Sequence, residues 1–454
     1  MIRRAPSAEF SSATTRRNLH RIYQDHVRKS EAKGRDGVHP LALEVDITAT
    51  CGRVSEGLRS GTYQFTQYLE QLKSKGAGKA PRVISIPTAR DRITLRALAE
   101  CMIRVYPEAG GVIPQVRVHE ITKLLGGDHP FDSFIRLDVK SFYPSIRHDR
   151  VLEALAQRVR KREFIDVVQK AIQTPTVPAQ APKAGVNSCG VPQGLAISNV
   201  LSELIAHQVD LRLRNESACA YFRFVDDILI LCSQPDAESL YSATLAALSE
   251  VGLEAYPLGE LHGKSRTGLL TETFDYLGYQ FEGSSVSVRK DRIAAIESRL
   301  AREFTRYRKG AIKAGRTEAQ QIFVNRVDLA ITGCVWNNSA RGWLAYYKQV
   351  NDQTMLKGID FTVERLRSRF SISKDVHFKT FMRAHWAIKH PHGKDSTYIP
   401  NHDNLTVNQM RERLSDFMPH DEVEQLHDRV IPRTFERLMN RLTTDLERDI
   451  GDLS

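Results

Sequence analysis

Two runs of bulky apolar residues, Tyr221–Val225 and Ile228–Leu231, close on the pair Asp226-Asp227. Each run predicts a buried β-strand, with the acidic pair in the tight connection between them. A third apolar run, Phe134–Leu137, predicts a strand that ends at Asp138, and the chain breaks soon after at Pro144. Between these segments, Gly190-Val191-Pro192-Gln193-Gly194 is a Gly-flanked turn leading into an apolar, helix-like stretch that reaches about Arg214. Residues 150–172 predict an amphipathic helical stretch that stops at the proline-bearing loop Thr174–Pro182. Residues 1–100 read as mainly helical, interrupted by the Gly/Lys loop Lys73–Ala80 and the extended run Arg82–Ile86. Strands and turns are expected from 221 to 288 and helices afterwards, with two amphipathic helices running to Ser454.

The chemistry begins with a charge problem. Two adjacent carboxylates beside a core are costly unless something positive compensates them. A divalent cation is the usual compensation, and Asp oxygens suit Mg²⁺. The alternative is an exposed Asp-Asp turn, because Asp is a good turn residue. Asp138, at the end of its own strand, supplies a third carboxylate, and Gln193 supplies a group that can hydrogen-bond a base or a sugar. The flanking glycines let backbone approach a ligand closely.

Taken in order, Asp138-x-x-x-Phe142-Tyr143, Gly190-x-Pro192-Gln193-Gly194 and Phe224-Val225-Asp226-Asp227 resemble the motif blocks of reverse transcriptases. Phe274–Tyr279 resembles the primer-grip hairpin of that family. Pro81–Pro87 with Asp91-Arg92 resembles the fingers motif of bacterial and group II intron enzymes. The resemblance spans roughly residues 20–350. It implies an α+β fold of right-hand polymerase type, with fingers, a βαββ palm, a helical thumb and a short helical C-terminal extension. The implied boundaries are 1–100 for the N-terminal region and fingers, and 101–149 for the first part of the palm. Residues 150–189 would be a connection, 190–286 the second part of the palm, 287–370 the thumb and 371–454 the extension.

The resemblance also implies roles. Asp138, Asp226 and Asp227, with the Val139 carbonyl, would hold two Mg²⁺ ions, or Mn²⁺ in their place. Arg82, with Lys79 or Lys75, would contact the triphosphate of an incoming nucleotide, bidentate contact being natural to a guanidinium. Tyr143 falls where a ring would exclude a ribose 2′-hydroxyl; the competing reading is a core aromatic beside Phe142. Gln193 and Gly194 would face the nucleotide, and Lys264 stands where the family often has a lysine that could protonate pyrophosphate; the competing reading is a plain surface lysine. Tyr276, Leu277 and Gly278 would form the primer grip. Two positions depart from the common pattern: Asn199 stands where many members have proline, and Phe224 where many have tyrosine. Both departures resemble the divergent "unknown group" of bacterial reverse transcriptases, which includes antiviral defence members.

Composition agrees with a polyanion partner. There are 65 Lys and Arg against 54 Asp and Glu, a formal net charge of +11. Between Arg289 and Arg316 the basic residues, among them Arg292, Arg299, Arg302 and Arg306, share a helix with Ile293, Ile296, Leu300 and Phe304. That is an amphipathic helix whose outer face either tracks a nucleic-acid backbone or is simply solvated. A basic N-terminal stretch, including Arg21 and Arg28, has the same two readings. Trp336, Trp343, Tyr346 and Tyr347 either stack on bases or pack the thumb core. The six cysteines are scattered without C-x-x-C spacing, and His385, His390 and His392 lack an acidic or thiol partner. Reduced thiols, no signal peptide and no apolar span point to a cytoplasmic protein without membrane contact.

The function expected is RNA-directed DNA polymerisation from deoxynucleotides on a template RNA, a dedicated non-coding RNA, with DNA as product and antiviral defence as the role. The alternatives are a group II intron-like or retron-type enzyme, template-independent or protein-primed DNA synthesis, and a non-catalytic maturase-like RNA binder. A homo-oligomer is compatible with all of them.

Overall fold

A computed structural model describes residues 5–74, 80–181, 184–214, 216, 218–259, 264–310, 316–392, 397–448 and 450. It is a mixed helix and sheet structure that divides into two compact units. The first comprises Met1–Ile113 and Pro130–Leu269, the second Pro114–His129 and Leu270–Ser454.

The first unit is organised by two sheets. Strands β1 (Tyr68–Lys73) and β2 (Arg82–Ile86) form an antiparallel hairpin, and β4 (Thr176–Val177) joins β1 in parallel. Residues 75–79 of the Gly/Lys loop, between these strands in sequence, lie outside the described residues. A four-stranded antiparallel sheet runs in the order β5 (Cys219–Phe224), β6 (Asp227–Cys232), β3 (Ser133–Asp138), β7 (Arg266–Leu269). Ile228, Leu229, Ile230, Leu231 and Cys232 are all fully buried, which is why that run is continuously apolar rather than alternating. Helices Ser198–Leu213 and Ala237–Glu250 pack on this sheet.

The second of those helices corrects the expectation of strands and turns alone from 221 to 288. Leu240, Thr244, Ala247 and Leu248 are its buried positions. That spacing is the i, i+4, i+7, i+8 stripe of an amphipathic helix, diluted by small residues. The stretch 150–172 is likewise two helices, His148–Ala156 and Arg162–Gln173. Helix Ala89–Val105 is capped by the Thr88 hydroxyl, which accepts from the Asp91 amide at 3.2 Å. Buried Asp91 in turn accepts from the Tyr63 hydroxyl and the Thr66 amide, so its role in the fingers-like motif is to lock that helix to the preceding loop.

In the second unit, β8 (Phe274–Tyr276), β9 (Tyr279–Glu282) and β10 (Ser285–Val288) form an antiparallel meander. Leu277 and Gly278 make its two-residue turn at φ 50° and 81°, the left-handed pair that tight hairpins require. A hairpin of β11 (Cys334–Trp336) and β12 (Ser339–Arg341) follows helices Lys290–Gly310 and Arg316–Thr332. Among the described residues from 407 onwards there are three helices rather than two: Val407–Ser415, His420–Glu424 and Ile431–Arg448. Leu414, Phe435, Met439 and Leu446 pack there with Leu329 and Cys334 in one buried cluster. No helix among the described residues is long and apolar enough to cross a membrane. Cys51, Cys101, Cys232 and Cys334 are buried thiols, whereas Cys189 is exposed.

Candidate active site

Asp138 ends β3 directly opposite Asp227, the first residue of β6. Phe224 pairs with the same Asp227 across β5 and β6, so Val225 and Asp226 form the connection. Val225 sits at φ 55°, a left-handed conformation that a β-branched residue adopts only when its surroundings enforce it. Two backbone contacts do so. The Arg223 guanidinium donates to the Val225 carbonyl at 3.1 Å, and the Val139 amide donates to the Asp226 carbonyl at 3.0 Å.

The charges around the turn are unequal. Arg136, two residues before Asp138 and on the same strand face, forks onto Asp227 at 3.1 and 3.3 Å. The Lys264 ammonium lies 3.6 Å from Asp138 and 3.7 Å from the centre of the Tyr256 ring. Burial pushes the Asp226 carboxyl up to about 7, with Asp138 and Asp227 adding to the effect. Burial also raises Asp138, against the pull of Lys264. Burial first, and the two neighbouring carboxylates second, thus favour the protonated form of Asp226 in the metal-free fold.

Among the described residues, no three His, Cys, Asp or Glu side chains are gathered into a metal-holding group. The donor chemistry nevertheless fits a hard divalent cation. Asp138, Asp226, Asp227 and the Val139 carbonyl offer only oxygen, and the upward push on the Asp226 carboxyl reflects buried, crowded acids that a cation would relieve.

The nucleotide-facing candidates meet on the same unit. Arg82, Ser85, Pro144, Gly190 and Gln193 line one cavity of about 490 Å³. The Ser85 amide donates to the Gln193 carbonyl at 2.7 Å, tying β2 to the Gly190–Gly194 turn. Gly194 is at φ 99°, and a Cβ there would stand 2.9 Å from Ile84 Cγ2. A Cβ on Gly190 would stand 2.8 Å from the Pro144 carbonyl oxygen. Both positions need glycine for close approach as well as for φ. The Gln193 Oε1 is buried without a hydrogen-bond partner in the protein. Tyr143 begins in the short helix Phe142–Ser145, edge-on to Phe142, and its hydroxyl donates to Asn199 Oδ1 at 2.6 Å. Its phenol is raised by burial and lies within the fields of Asp226, Glu203 and Arg82. Lys75 and Lys79 lie outside the described residues.

In the second unit the primer-grip-like turn is held by aromatic side chains. The Tyr346 hydroxyl donates to the Leu277 carbonyl at 3.0 Å, and a Cβ on Gly278 would meet Tyr347 Oη at 2.8 Å. Tyr276 and Leu277 are buried, as are Trp343, Tyr346 and Tyr347, so these rings pack the core. On helix Lys290–Gly310, Arg299 donates to the Asp445 carbonyl at 2.6 Å and Arg306 pairs with Glu303. Arg292 lies 3.6 Å from Asp291, and Arg302 shares the helix. In the N-terminal stretch, Arg21 and Arg28 are paired with Glu100 and Glu44.

Sequence reasoning missed Arg136, Arg223 and the partner of Tyr143. Arg223 is almost wholly buried and also binds Asp210 at 2.7 and 2.9 Å and Glu203 at 2.7 and 3.0 Å. A cation inside an aromatic strand run, with two acids seven residues apart on the next helix back, was the available signal.

A sequence profile described as "Reverse transcriptase (RNA-dependent DNA polymerase)" matches residues 73–281. The "Uncharacterized 91 kDa protein in cob intron" of Schizosaccharomyces pombe is 22% identical over 210 residues, 44% of this chain and 25% of that protein. The "Putative COX1/OXI3 intron 1 protein" of Saccharomyces cerevisiae is 22% identical over 169 residues, 35% of this chain and 19% of that protein. The chain thus spans a quarter or less of the length of these curated relatives. Among solved structures, a truncated apo telomerase from Candida tropicalis aligns at TM-score 0.38 and 14% identity, over 51% of this chain and 58% of that one. Candida albicans telomerase, solved with a fragment of telomeric RNA, aligns at TM-score 0.42 and 10% identity, over 85% and 63%. Residues 73–281 of this chain thus carry a match to a reverse transcriptase domain.

Proposed function

We propose that the chain is an RNA-directed DNA polymerase whose reaction centre is Asp138, Asp226 and Asp227. The observation that carries this reading is the register of Asp138 against Asp227, with Asp226 in the adjoining turn carrying a carboxyl pushed up to about 7. Asp138, Asp226, Asp227 and the Val139 carbonyl would hold a pair of Mg²⁺ ions, or Mn²⁺, whose charge would stabilise the transferring phosphoryl group. The chain's own part is positioning. Arg82 holds the triphosphate, and Gln193 with Gly194 seats the base and sugar. The Tyr143 ring excludes the 2′-hydroxyl, and Lys264 delivers a proton to the departing pyrophosphate. Residues 287–370 act as thumb, with Arg292, Arg302 and Arg306 toward a nucleic-acid backbone and the 274–279 hairpin toward the primer.

Of the finer readings, an intron-type role is supported by two relatives named as intron proteins. A role in antiviral defence rests on sequence resemblance only, at Asn199 and Phe224 and in the Phe381–Ala384 and Tyr398–Asn401 segments. Primer extension with labelled deoxynucleotides on an RNA template tests the activity. Synthesis by the intact chain and none by the Asp226→Ala, Asp227→Ala double variant is expected; equal synthesis by both overturns the assignment. Sequencing RNA that co-purifies with the protein separates an intron transcript from a dedicated non-coding RNA.

A further inference from the structure

We propose that Asn199 is a specificity-determining residue that fixes the Tyr143 ring against the sugar of the incoming nucleotide. The proposal rests on the function proposed above and deepens it. Tyr143 Oη donates to Asn199 Oδ1 at 2.6 Å, a short hydrogen bond for a phenol and an amide.

Both ends of this bond are anchored. The Tyr143 carbonyl accepts from the Val191 amide at 2.8 Å, and its ring stands edge-on to Phe142 with centroids 5.5 Å apart. Asn199 is the second residue of helix Ser198–Leu213. That helix start is pinned by the Ser198 hydroxyl on the Pro192 carbonyl, and the Asn199 carbonyl accepts from Ser202 Oγ at 2.9 Å. The phenol also faces the Ser202 side chain and lies within the fields of Asp226, Glu203 and Arg82.

A tyrosine ring held only at its Cβ can swing about two side-chain torsions. A wall that swings is a poor sieve for one hydroxyl group. Tethering the far end of the ring removes that freedom at the edge where a sugar would pass. The tether also commits the phenol's single proton to Asn199, so the hydroxyl cannot turn and donate it to a ribose oxygen. Proline, common at this position in reverse transcriptases, has no side-chain acceptor. The tether therefore depends on the asparagine at 199.

The test is the ratio of ribonucleotide to deoxynucleotide incorporation, each measured as kcat/KM on one RNA-templated primer. Asn199→Ala and Tyr143→Phe each raise that ratio about five- to tenfold, the discrimination one hydrogen bond carries. Tyr143→Phe keeps the ring, so a sieve of bulk alone leaves its ratio unchanged. The double variant goes no further than Tyr143→Phe, because both changes break one bond. Asn199→Asp, which keeps an acceptor oxygen, restores the wild-type ratio; a packing role would not discriminate Asp from Ala in this way. A wild-type enzyme that makes DNA while Asn199→Ala keeps the parental ratio overturns the inference alone. Multiplicative effects in the double variant also overturn it. A wild-type chain that incorporates neither sugar overturns the reading beneath it as well.

Discussion

The Arg223 guanidinium reaches from a buried acid cluster to the Val225 carbonyl at 3.1 Å, joining the scaffold of the first unit to the strained turn that presents Asp226. Asp210 and Glu203 neutralise it from the Ser198–Leu213 helix, and the Tyr221 hydroxyl donates to Asp210 at 2.9 Å. Removing the cation strands two acids in a core. Arg223→Leu should lower unfolding stability by about 3–5 kcal/mol, the cost of breaking a buried pair. Urea unfolding of the variant measures this. A loss below about 1 kcal/mol would mean that the network is better solvated than its burial implies.

Asp226 sets a pH dependence for the metal-free protein. Its carboxyl is pushed from 3.8 up to about 7 in the fold. The folded state then binds a proton that the unfolded state has released between those values, so stability is complete at low pH and is lost as pH rises through 7. In EDTA, Asp226→Asn should be more stable than wild type at pH 8, by on the order of 2–4 kcal/mol, and equal to it near pH 4. Mg²⁺ should narrow the gap at pH 8 by stabilising the wild type only. Parallel stability curves for the two proteins from pH 4 to 8 would contradict the electrostatic account.

Gly194 is a steric test of the link between β2 and the Gly190–Gly194 turn. At φ 99°, with Ile84 Cγ2 2.9 Å and the Ser85 carbonyl oxygen 3.0 Å from a built Cβ, alanine has no room. Gly194→Ala should loosen the Ser85–Gln193 contact, cost about 1–3 kcal/mol of stability and raise the nucleotide KM at least tenfold. Gly358 provides the contrast, because its Cβ would meet nothing within 4 Å on helix Gln353–Arg369. Gly358→Ala should stabilise by up to about 1 kcal/mol. The two thermal shifts, of opposite sign, check both statements.

Much of this site was legible in the chain. The hairpin around Asp226-Asp227 and the strand ending at Asp138 followed from apolar runs bounded by acids, a local signal. The hairpin at Phe274–Tyr279 was legible only through its resemblance to the primer-grip block, and its two-residue turn at Leu277-Gly278 comes from the structure. What was not legible is non-local. The pairing of Arg136 with Asp227 needs the β3–β6 register, and the bond from Tyr143 to Asn199 spans a whole helix–loop excursion. Helix Ala237–Glu250 was missed because alanine and serine blur its apolar stripe. From Val407 onwards the amphipathic pattern gave helices but not their partners, which are Leu329 and Cys334 in a shared buried cluster.

His402 offers a measurement in the second unit that is independent of any nucleotide. It is 3% exposed, packs edge-on against Phe435, and neither ring nitrogen has a hydrogen-bond partner in the protein. Burial pushes its pKa from 6.5 down to about 4, with Arg413 adding to the shift and Asp403 opposing it. The folded state therefore keeps the ring neutral where the unfolded chain takes up a proton, so stability is complete above pH 6.5 and is lost as pH falls toward 4. Between pH 7.5 and pH 5 that loss is about 2 kcal/mol. His402→Leu removes both the proton linkage and the unpaired nitrogens. It should stabilise the protein modestly at pH 7.5 and by about 2 kcal/mol more at pH 5. Urea midpoints for both proteins at the two pH values decide the matter. An equal gain at both would show that His402 is already hydrogen-bonded to water, with its ordinary affinity for protons.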